Sequence, residues 1–500
     1  MSILNDIAKD PAVAKAEIID ITIRKHDGSD RMSIMPQFIE LTFGQSIFNS
    51  LMRADLLILD PISMHVNYPL VGEEIVEIIL KPTTNDITDP LNLDSPKEGN
   101  AQSDLRLTME FMISDVRQMY PDDKARSSVY VLHMYSHTMY HNLKWRVQKA
   151  YNDQYQNVAK DILRKYLKVD DDINDNGMLK ADRANTATGT PVTEAFRQKI
   201  KESNFEESRG PIPIVIPNLK PLEAIQWCAK RAVPVKTEHN LYMFFETFDG
   251  FHFETLQQLM KKNMGIGKGG VSTGELNRSS HKFLWVSNIN AEIRKQINVK
   301  NLDQHMITAM QINKRYSTME KFISGFYENE WYEIDIANKR VNNTQTSVPD
   351  EPKETIEKHS LNTKKYLDDA KIKNENKGTK TRVRYKVGQN GGDDPSTKTY
   401  YEEKFGEGVR SQTALSQIHI TIAVPGHTSV NAGDMVEIEL PEMHGFNHVK
   451  EDEYISGKYL VVDIKHTLTV GENHYMTLNL SRDSFATKIA DKTKYNLGGF

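Results

Sequence analysis

Residues 418–426 read IHITIAVPG, and they are followed by AGDMVEIELP at 432–441, YISGKYLVVDIKH at 454–466 and YMTLNLS at 475–481. Within 436–440 apolar and acidic residues alternate, and this period of two predicts a strand with one buried face and one wet, negative face. Gly426, Gly433, Gly457 and Gly471 separate the apolar runs where tight turns are needed. Four short strands at this spacing predict a small antiparallel barrel.

The N-terminal part of the chain repeats this pattern. The matching segments are 56–61 with 420–425, 72–80 with 433–440, 111–117 with 459–465, and 130–136 with 475–481. The first copy is longer at 81–104, a segment rich in Pro, Asn, Asp and Thr that is typical of a surface insertion. The repetition favours an internal duplication, although any two antiparallel hairpins share much of this pattern.

Between the two copies the periodicity changes to that of helices. Apolar residues at helical spacing predict a helix around 158–167, and Pro221 suits the first turn of a second helix that runs to Ala232. Residues 241–253 predict an aromatic hairpin with an Asp-Gly turn at 249–250. A mixed α/β unit is therefore expected in the middle of the chain.

Residues 341–408 are the most hydrophilic part of the sequence, with one candidate strand at 381–387. We interpret this region as a long insertion or arm. The predicted fold class is α+β, mostly β, with two tube-type antiparallel barrels related by duplication. The predicted domains are 1–141 (first barrel), 142–285 (middle α/β domain), 286–340 with 411–487 (second barrel), 341–410 (polar insertion) and 488–500 (tail).

Composition narrows the classes of function. The chain has 500 residues, 38% hydrophobic and 26% charged, with a formal net charge of −5. No apolar run approaches the roughly 18 residues that span a bilayer, and the negative charge argues against a dedicated nucleic-acid binder. The single cysteine, Cys228, rules out an intrachain disulfide and a cysteine-built zinc site.

Several short motifs match catalytic or ligand-binding patterns by letters alone. Residues 265–270 match a dinucleotide loop and 270–274 a nucleophile elbow, but neither is flanked by the required strand and helix. Residues 172–177 open like a calcium loop, but its closing position is occupied by Arg183 and not by glutamate. A loop or a solvated acidic turn explains each motif better than a binding site does.

Three histidines, His133, His137 and His141, are spaced by four residues and would share one face of a continuous helix. Because 129–135 reads as a strand, their rings are expected to diverge. We therefore predict no metal, no cofactor and no catalytic residues, and we expect the protein not to be an enzyme.

The C-terminal motif also carries a family resemblance. It resembles the tube domain of phage baseplate hub proteins. The matching positions are Pro-Gly at 425–426, Gly-Asp at 433–434, Ser-Gly-Lys-Tyr at 456–459, His466 and Ser-Arg-Asp-Ser at 481–484. The helix and aromatic hairpin at 221–253 add a second resemblance to hub proteins of contractile-tailed (T-even-type) bacteriophages. The hub part of secretion-system spike proteins is related to both.

This resemblance implies a structural virion protein of the tail baseplate, assembled in the host cytoplasm. Such a central hub is a homotrimer whose six barrels form a ring between the tail tube, or its initiator, and the central spike. Baseplate wedge proteins are further implied partners, and DNA crosses the lumen without specific binding during ejection. Two alternatives are the hub of a contractile secretion or tailocin spike, and a tail-associated cell-wall hydrolase.

Three glutamates are the predicted channel-facing residues. Glu437 and Glu439 share one strand face, and Glu77 takes the equivalent position in the first copy. If Val436, Ile438 and Leu440 pack inside the barrel, the glutamates face away from that core, toward the lumen or the outside of the ring. Because a basic wall would bind phosphates, function favours the lumen.

Overall fold

The computed structural model describes residues 14–25, 30–60, 64–82, 107–119, 128–169, 200–236, 241–248, 250–262, 281–285, 306–315, 317–324, 326, 328–336, 339–347, 380–386, 408, 412–413, 415–428, 430–440, 452, 454–471 and 473–484. Within these residues the chain is mostly β. The strands are β1 (Ala14–Arg24), β2 (Arg31–Ser33), β3 (Phe38–Ser46), β4 (Arg53–Asp60), β5 (Ile75–Pro82), β6 (Leu107–Met119), β7 (Ser128–Ser136), β8 (Ala150–Asp153), β9 (Ile212–Val215), β10 (Tyr242–Thr247), β11 (Gly250–Thr255), β12 (His281–Leu284), β13 (Ala309–Arg315), β14 (Glu328–Asp335), β15 (Arg340–Ser347), β16 (Lys380–Lys386), β17 (Ile418–Pro425), β18 (Met435–Glu439), β19 (Gly457–Thr469) and β20 (Asn473–Arg482).

The helices are short and lie mainly between the strands of the two ends of the chain. They are α1 (Met64–Asn67), α2 (Thr138–Lys144), α3 (Tyr155–Lys165), α4 (Pro221–Ala229), α5 (Leu256–Lys262) and α6 (Thr318–Ser324). None of the helices in the described part of the chain has the length and apolar content that crossing a membrane requires.

Eight of the described strands pair in a closed cycle, β3-β4-β7-β6-β5-β1-β20-β19 and back to β3. Closure depends on the C-terminal hairpin, because residues 463–469 of β19 pair with β3, and Ala14 and Lys15 of β1 pair with β20. The interior of this first barrel is one apolar cluster, to which β19 contributes Leu468. Closing a sheet in this way removes its edges.

A second cycle uses the same hairpin. Its strand order is β12-β18-β19-β20-β17-β13, and a parallel bridge between Leu284 and Met306 joins β12 to the segment that enters β13. Its core includes Val436, Ile438 and Tyr459. The β19–β20 hairpin is therefore a wall of both barrels, since β18 pairs with the start of β19 and β3 with its end.

The two barrels share a local irregularity. The β6–β7 register shifts between Ile113 and Asp115, and the β19–β20 register shifts between Val461 and Asp463. At the first shift the Ile113 N–H donates to the carbonyl of Glu74 at 3.0 Å, and at the second the Val461 N–H donates to that of Asp434 at 2.9 Å. A bulge of this kind bends its strand and increases the local twist, which helps a sheet to curve into a barrel.

The middle unit packs helices against short β-pairs. The predicted helices correspond to α3 and α4, and the predicted aromatic hairpin is β10–β11, with Gly250 at a positive φ of 115° in its turn. Proline occupies the first turn of α4, where its missing N–H costs no intrahelical bond. The core of this unit includes Ile162, Ile225 and Phe251.

Strands β14, β15 and β16 form a separate three-stranded sheet. The predicted strand at 381–387 corresponds to β16. The predicted start of the insertion at 341 falls inside the β14–β15 hairpin, because Asp335 pairs with Arg340 and Ile334 with Val341. In the structure the polar unit therefore begins at β14. Most of 341–410, the insertion at 81–104 and the tail at 488–500 lie outside the described residues.

Candidate functional site: the acidic strands and the barrel joint

The strand β18 separates apolar and acidic side chains as its sequence predicts. Val436, Ile438 and Leu440 lie in the second core, whereas Glu437 and Glu439 occupy the alternate positions and are partly exposed. The register places Glu437 between Lys282 of β12 and Lys458 of β19. Lys458, as a cross-strand neighbour of opposite charge, reduces the local negative potential. The β12 neighbour of Glu439 is Leu284.

Glu77 occupies the matching position of the first barrel but a different environment. Its backbone lies between Thr22 and Glu110, and its neighbours Val76 and Ile78 enter the first core. The Glu77 carboxylate accepts from Arg31 at 3.2 Å, and only 8% of the residue is exposed. Glu110 beside it pairs with Arg24 at 3.1 Å. These four side chains form a mixed-charge cluster on the face opposite the core.

Two buried histidines mark the joint at which the barrels share their wall. The rings of His466 in β19 and His474 in β20 lie with Nδ1 and Nε2 3.1 Å apart. The ring of His466 stacks on Phe43 of β3, with centroids 4.7 Å apart. Gly426, at the end of β17, approaches the His474 ring so closely that a Cβ there would lie 2.2 Å from it.

Both histidines are held neutral by their surroundings. Burial lowers the pKa of His466 well below its usual value, and the neighbouring His474 lowers it further. Burial lowers the pKa of His474 to about 4. The geometry agrees, because two imidazolium rings have only donors and cannot share the hydrogen bond that joins the neutral pair.

Glu246 connects the middle unit to the first barrel. It lies in β10 and is buried, and its two carboxylate oxygens accept from the backbone N–H of Met52 at 3.0 Å and from the hydroxyl of Ser136 at 2.9 Å. Met52 precedes β4, and Ser136 ends β7. A single side chain therefore fixes the aromatic hairpin to two neighbouring strands of the barrel.

The three spaced histidines do not form one cluster. His133 lies in β7 and faces Asp55, with Nδ1 2.6 Å from Oδ1, whereas His137 and His141 lie at the start of α2 and within it, with ring centroids 5.6 Å apart. In the described ranges, no three His, Cys, Asp or Glu side chains are grouped to hold a metal ion. The glycine-rich motifs at 265–274 and the acidic turn at 172–183 lie outside those ranges.

Sequence reasoning placed the acidic strand faces but missed the histidine joint and the Glu246 bridge. His466 entered only as part of a motif, and nothing local indicated that it meets His474 or Phe43. One signal was available: Gly426 directly follows the proline that ends β17, and a glycine there fits a close approach of another side chain.

Comparisons with known proteins add structural neighbours. No family model matches the sequence, and no curated protein matches it. Among solved structures, the chain is similar to a tail protein from Neisseria meningitidis MC58 (TM-score 0.45, 10% identity, covering 93% of this chain and 96% of that one). It is also similar to the 43 kDa tail protein of prophage MuSo2 from Shewanella oneidensis (TM-score 0.46, 10% identity, covering 93% of this chain and 98% of that one). A third similar structure is a chain of the Francisella PdpA-VgrG complex (TM-score 0.42, 10% identity, covering 97% of this chain and 55% of that one). The structural neighbours are thus phage tail proteins and VgrG-type secretion proteins.

Proposed function

We propose that this chain is a structural hub of a contractile injection apparatus, in which three copies form a ring of six barrels between a tail tube and a central spike. The observation that carries the proposal is the repeated strand order. Strands β5-β6-β7-β4 are adjacent in the first barrel, and β18-β19-β20-β17 are adjacent in the second. Three copies of a chain with two similar barrels present six barrels, which match the symmetry of a sixfold tube.

The bulges support a true duplication. Each falls between the third and fifth residues of the matched segments 111–117 and 459–465, and each is joined by a backbone hydrogen bond to the start of the preceding strand. The ladders align Val76 with Val436 and Glu77 with Glu437. Two unrelated hairpins would not be expected to share a bulge, its hydrogen bond and the same Val-Glu pair at matching positions of the preceding strand.

In this proposal the first barrel is residues 1–141 closed by the β19–β20 hairpin, and the second barrel is β12, β13 and 411–487. The α/β unit lies between them from residue 142, and the polar arm begins at β14. The hub of a secretion or tailocin spike would use the same architecture. Its partners would again be the spike and the tube or its initiator, with wedge proteins around the ring. A cell-wall hydrolase is less well supported. The hydroxyl of Thr247, the ring of His252 and the carboxylate of Glu254 are joined by contacts of 2.9 and 3.3 Å, but all three side chains are buried, so a polymer substrate has no access to them.

Light scattering and negative-stain electron microscopy of the purified protein test the ring. We expect a trimer, or a trimer that forms when the spike protein is added, with annular particles. A stable monomer at micromolar concentration, both with and without the spike, would contradict the proposal. Peptidoglycan-degrading activity of the pure protein that one substitution at His137 or Ser272 abolishes would instead favour the hydrolase.

The lumen is the second part of the proposal, with Glu437 and Glu439 as channel-facing residues and Glu77 as their equivalent in the first barrel. Glu437→Lys with Glu439→Lys tests it, since added positive charge would retain DNA by phosphate contacts that weaken with salt. We expect correctly assembled particles to eject DNA more slowly, most strongly at low salt. Glu77→Gln is the matched change in the first barrel, because lysine there would face Arg31. Unchanged ejection by assembled Glu437→Lys, Glu439→Lys particles would place these residues on the outside of the ring.

A further inference from the structure

An exposed apolar surface lies where the middle unit meets the β3–β4 turn of the first barrel. Its three apolar members are Phe48, Leu143 and Trp145, which are 54%, 55% and 43% exposed. Phe48 lies in the turn between β3 and β4, and the other two lie at and just after the end of α2. Large apolar side chains grouped at the surface are typical of interaction sites.

Hydrogen bonds show that these segments are neighbours. The side chain of Asn142 accepts from the backbone N–H of Leu222 at 2.9 Å, which holds the end of α2 against the first turn of α4. One turn further along α4, Gln226 donates to the hydroxyl of Ser50 at 2.7 Å. The β3–β4 turn and the end of α2 therefore meet α4 at adjacent turns, and we call the combined area the α4 surface.

The exposed side of α4 continues this area. Trp227 is partly exposed, and the guanidinium of Arg231 lies 3.9 Å above its ring. Arg146 donates to the carbonyl of Asn218 at 3.2 Å, just before the helix. Tryptophan and arginine are the residues in which the binding energy of protein interfaces is concentrated.

The charge of the α4 surface is opposite to that of the whole chain. Segments 143–148 and 218–231 contain five basic residues, namely Lys144, Arg146, Lys220, Lys230 and Arg231, and one acidic residue, Glu223. That glutamate already accepts from the backbone N–H of Lys220 at 3.2 Å. The chain as a whole has more acidic than basic residues, 68 against 63. A local positive excess of this kind attracts an acidic partner.

We propose that the α4 surface is a docking site for an acidic protein segment with an apolar anchor, which packs on Trp145, Leu143 and Phe48 while its carboxylates meet the surrounding lysines and arginines. A protein partner fits better than a lipid surface. The three apolar side chains come from two separate segments and are each about half covered by the protein, so they do not form the continuous apolar face that inserts between lipids. The inference does not depend on the ring or its lumen.

The test uses the full chain and a short fluorescein-labelled peptide in which glutamates flank a central Leu-Phe pair, followed by fluorescence anisotropy. We expect saturable binding that weakens at least about tenfold in Trp145→Ala. Lys144→Glu with Lys230→Glu should weaken it similarly and reduce its dependence on salt. Val470→Ser and Lys465→Glu are the matched controls on the barrels, and they should bind the peptide like the unchanged chain.

Four results would overturn the proposal. The first is an absence of binding, and the second is binding that Trp145→Ala leaves unchanged. The third is equal binding of a peptide with serines in place of the Leu-Phe pair, since charge alone would then explain it. The fourth is evidence for a different occupant of the α4 surface. Trp145-dependent binding to phosphatidylglycerol vesicles would indicate a membrane surface. A change of oligomeric state in Trp145→Ala would indicate a contact between copies of this chain. Circular dichroism of each variant confirms that loss of binding is not loss of folding.

Discussion

The Nδ1 atom of His466 lies 3.1 Å from the Nε2 atom of His474, inside the wall that the two barrels share. One proton serves this hydrogen bond, and protonation of both rings would break it and leave two cations in an apolar site. The pair therefore makes the cohesion of the barrels sensitive to acid.

The first prediction is an acid-dependent loss of stability. Because the folded pKa of both histidines lies below the usual value of 6.5, the unfolded chain takes up protons first as the pH falls. The contribution of the neutral pair to the free energy of unfolding is complete above about pH 6.5. It is lost as the pH falls toward about 4, the pKa of His474. His474 alone would contribute on the order of 3 kcal/mol.

Urea unfolding at a series of pH values measures how steeply the free energy of unfolding falls with pH. His474→Gln keeps a planar, hydrogen-bonding side chain but does not titrate, so its stability should fall less steeply between pH 6.5 and 4. His133→Gln, in β7 and outside the joint, is the control and should retain the steep fall. Parallel slopes for the unchanged chain and His474→Gln would refute the prediction.

The second prediction concerns Gly426. A methyl group at this position would lie 2.2 Å from the His474 ring, which is buried and hydrogen-bonded to His466. Gly426→Ala should therefore destabilise the folded chain by about 2–3 kcal/mol through overpacking. Gly72→Ala is a useful comparison, since its φ of +90° is strained but its Cβ would meet no atom. Gly72→Ala should lower the free energy of unfolding by about 1–2 kcal/mol, as expected for a residue with a side chain in the left-handed backbone region.

Thermal and urea unfolding distinguish the two glycine variants. The pH dependence of Gly426→Ala should also change, because displacing the His474 ring alters its burial and its bond to His466. The pH dependence of Gly72→Ala should match that of the unchanged chain. Equal stability of Gly426→Ala and the unchanged protein would mean that the ring can move aside.

The third prediction concerns Glu246. An amide can still accept from Met52 and donate to the Ser136 hydroxyl, so Glu246→Gln should cost less than about 1 kcal/mol. Glu246→Ala leaves the buried Met52 N–H without this acceptor and should cost about 2–3 kcal/mol. Hydrogen exchange of the Met52 amide is the most direct measurement, and it should accelerate in Glu246→Ala only. Similar exchange in both variants would show that the carboxylate does not hold this junction.

The fourth prediction concerns Arg482, whose guanidinium donates to the carbonyls of Tyr454, Ile455 and Ser456 and lies 4.5 Å above the Tyr459 ring. Lysine carries the same charge without the planar fork. Arg482→Lys should therefore lose about 1–2 kcal/mol of stability to urea unfolding. Arg117→Lys, on an exposed part of β6, should be nearly neutral. Equal effects of the two changes would contradict the role assigned to Arg482.

Much of the strand pattern could be predicted from the sequence, because burial on one face imposes a period of two. Val436, Ile438 and Leu440 pack inside the barrel as expected, and Pro221 begins α4. The predicted domain boundary after residue 340 divides the hairpin β14–β15, because β15, RVNNTQTS, is polar and lacks that alternation. Its assignment to a sheet depends on pairing with β14, which no local pattern records.

The candidate site was less predictable for the same reason. The alternation of β18 placed Glu437 and Glu439 away from the core. It could not indicate that Lys282 and Lys458 would be the ladder neighbours of Glu437, or that Glu77 would meet Arg31. Those contacts join residues far apart in the chain. The His466–His474 pair depends in addition on β3, which brings Phe43 to the same place.

The shared hairpin has a consequence for how the protein is made. The strands β1 to β7 are synthesised long before residues 457–482, which supply the missing part of the first barrel wall. At typical rates of translation the nascent chain therefore has unpaired edges on β1 and β3 for tens of seconds. Open edges of this kind recruit other strands. Premature termination before β19 would leave an aggregation-prone fragment and not an independent domain, so a correctly closed first barrel reports that translation has passed the β19–β20 hairpin.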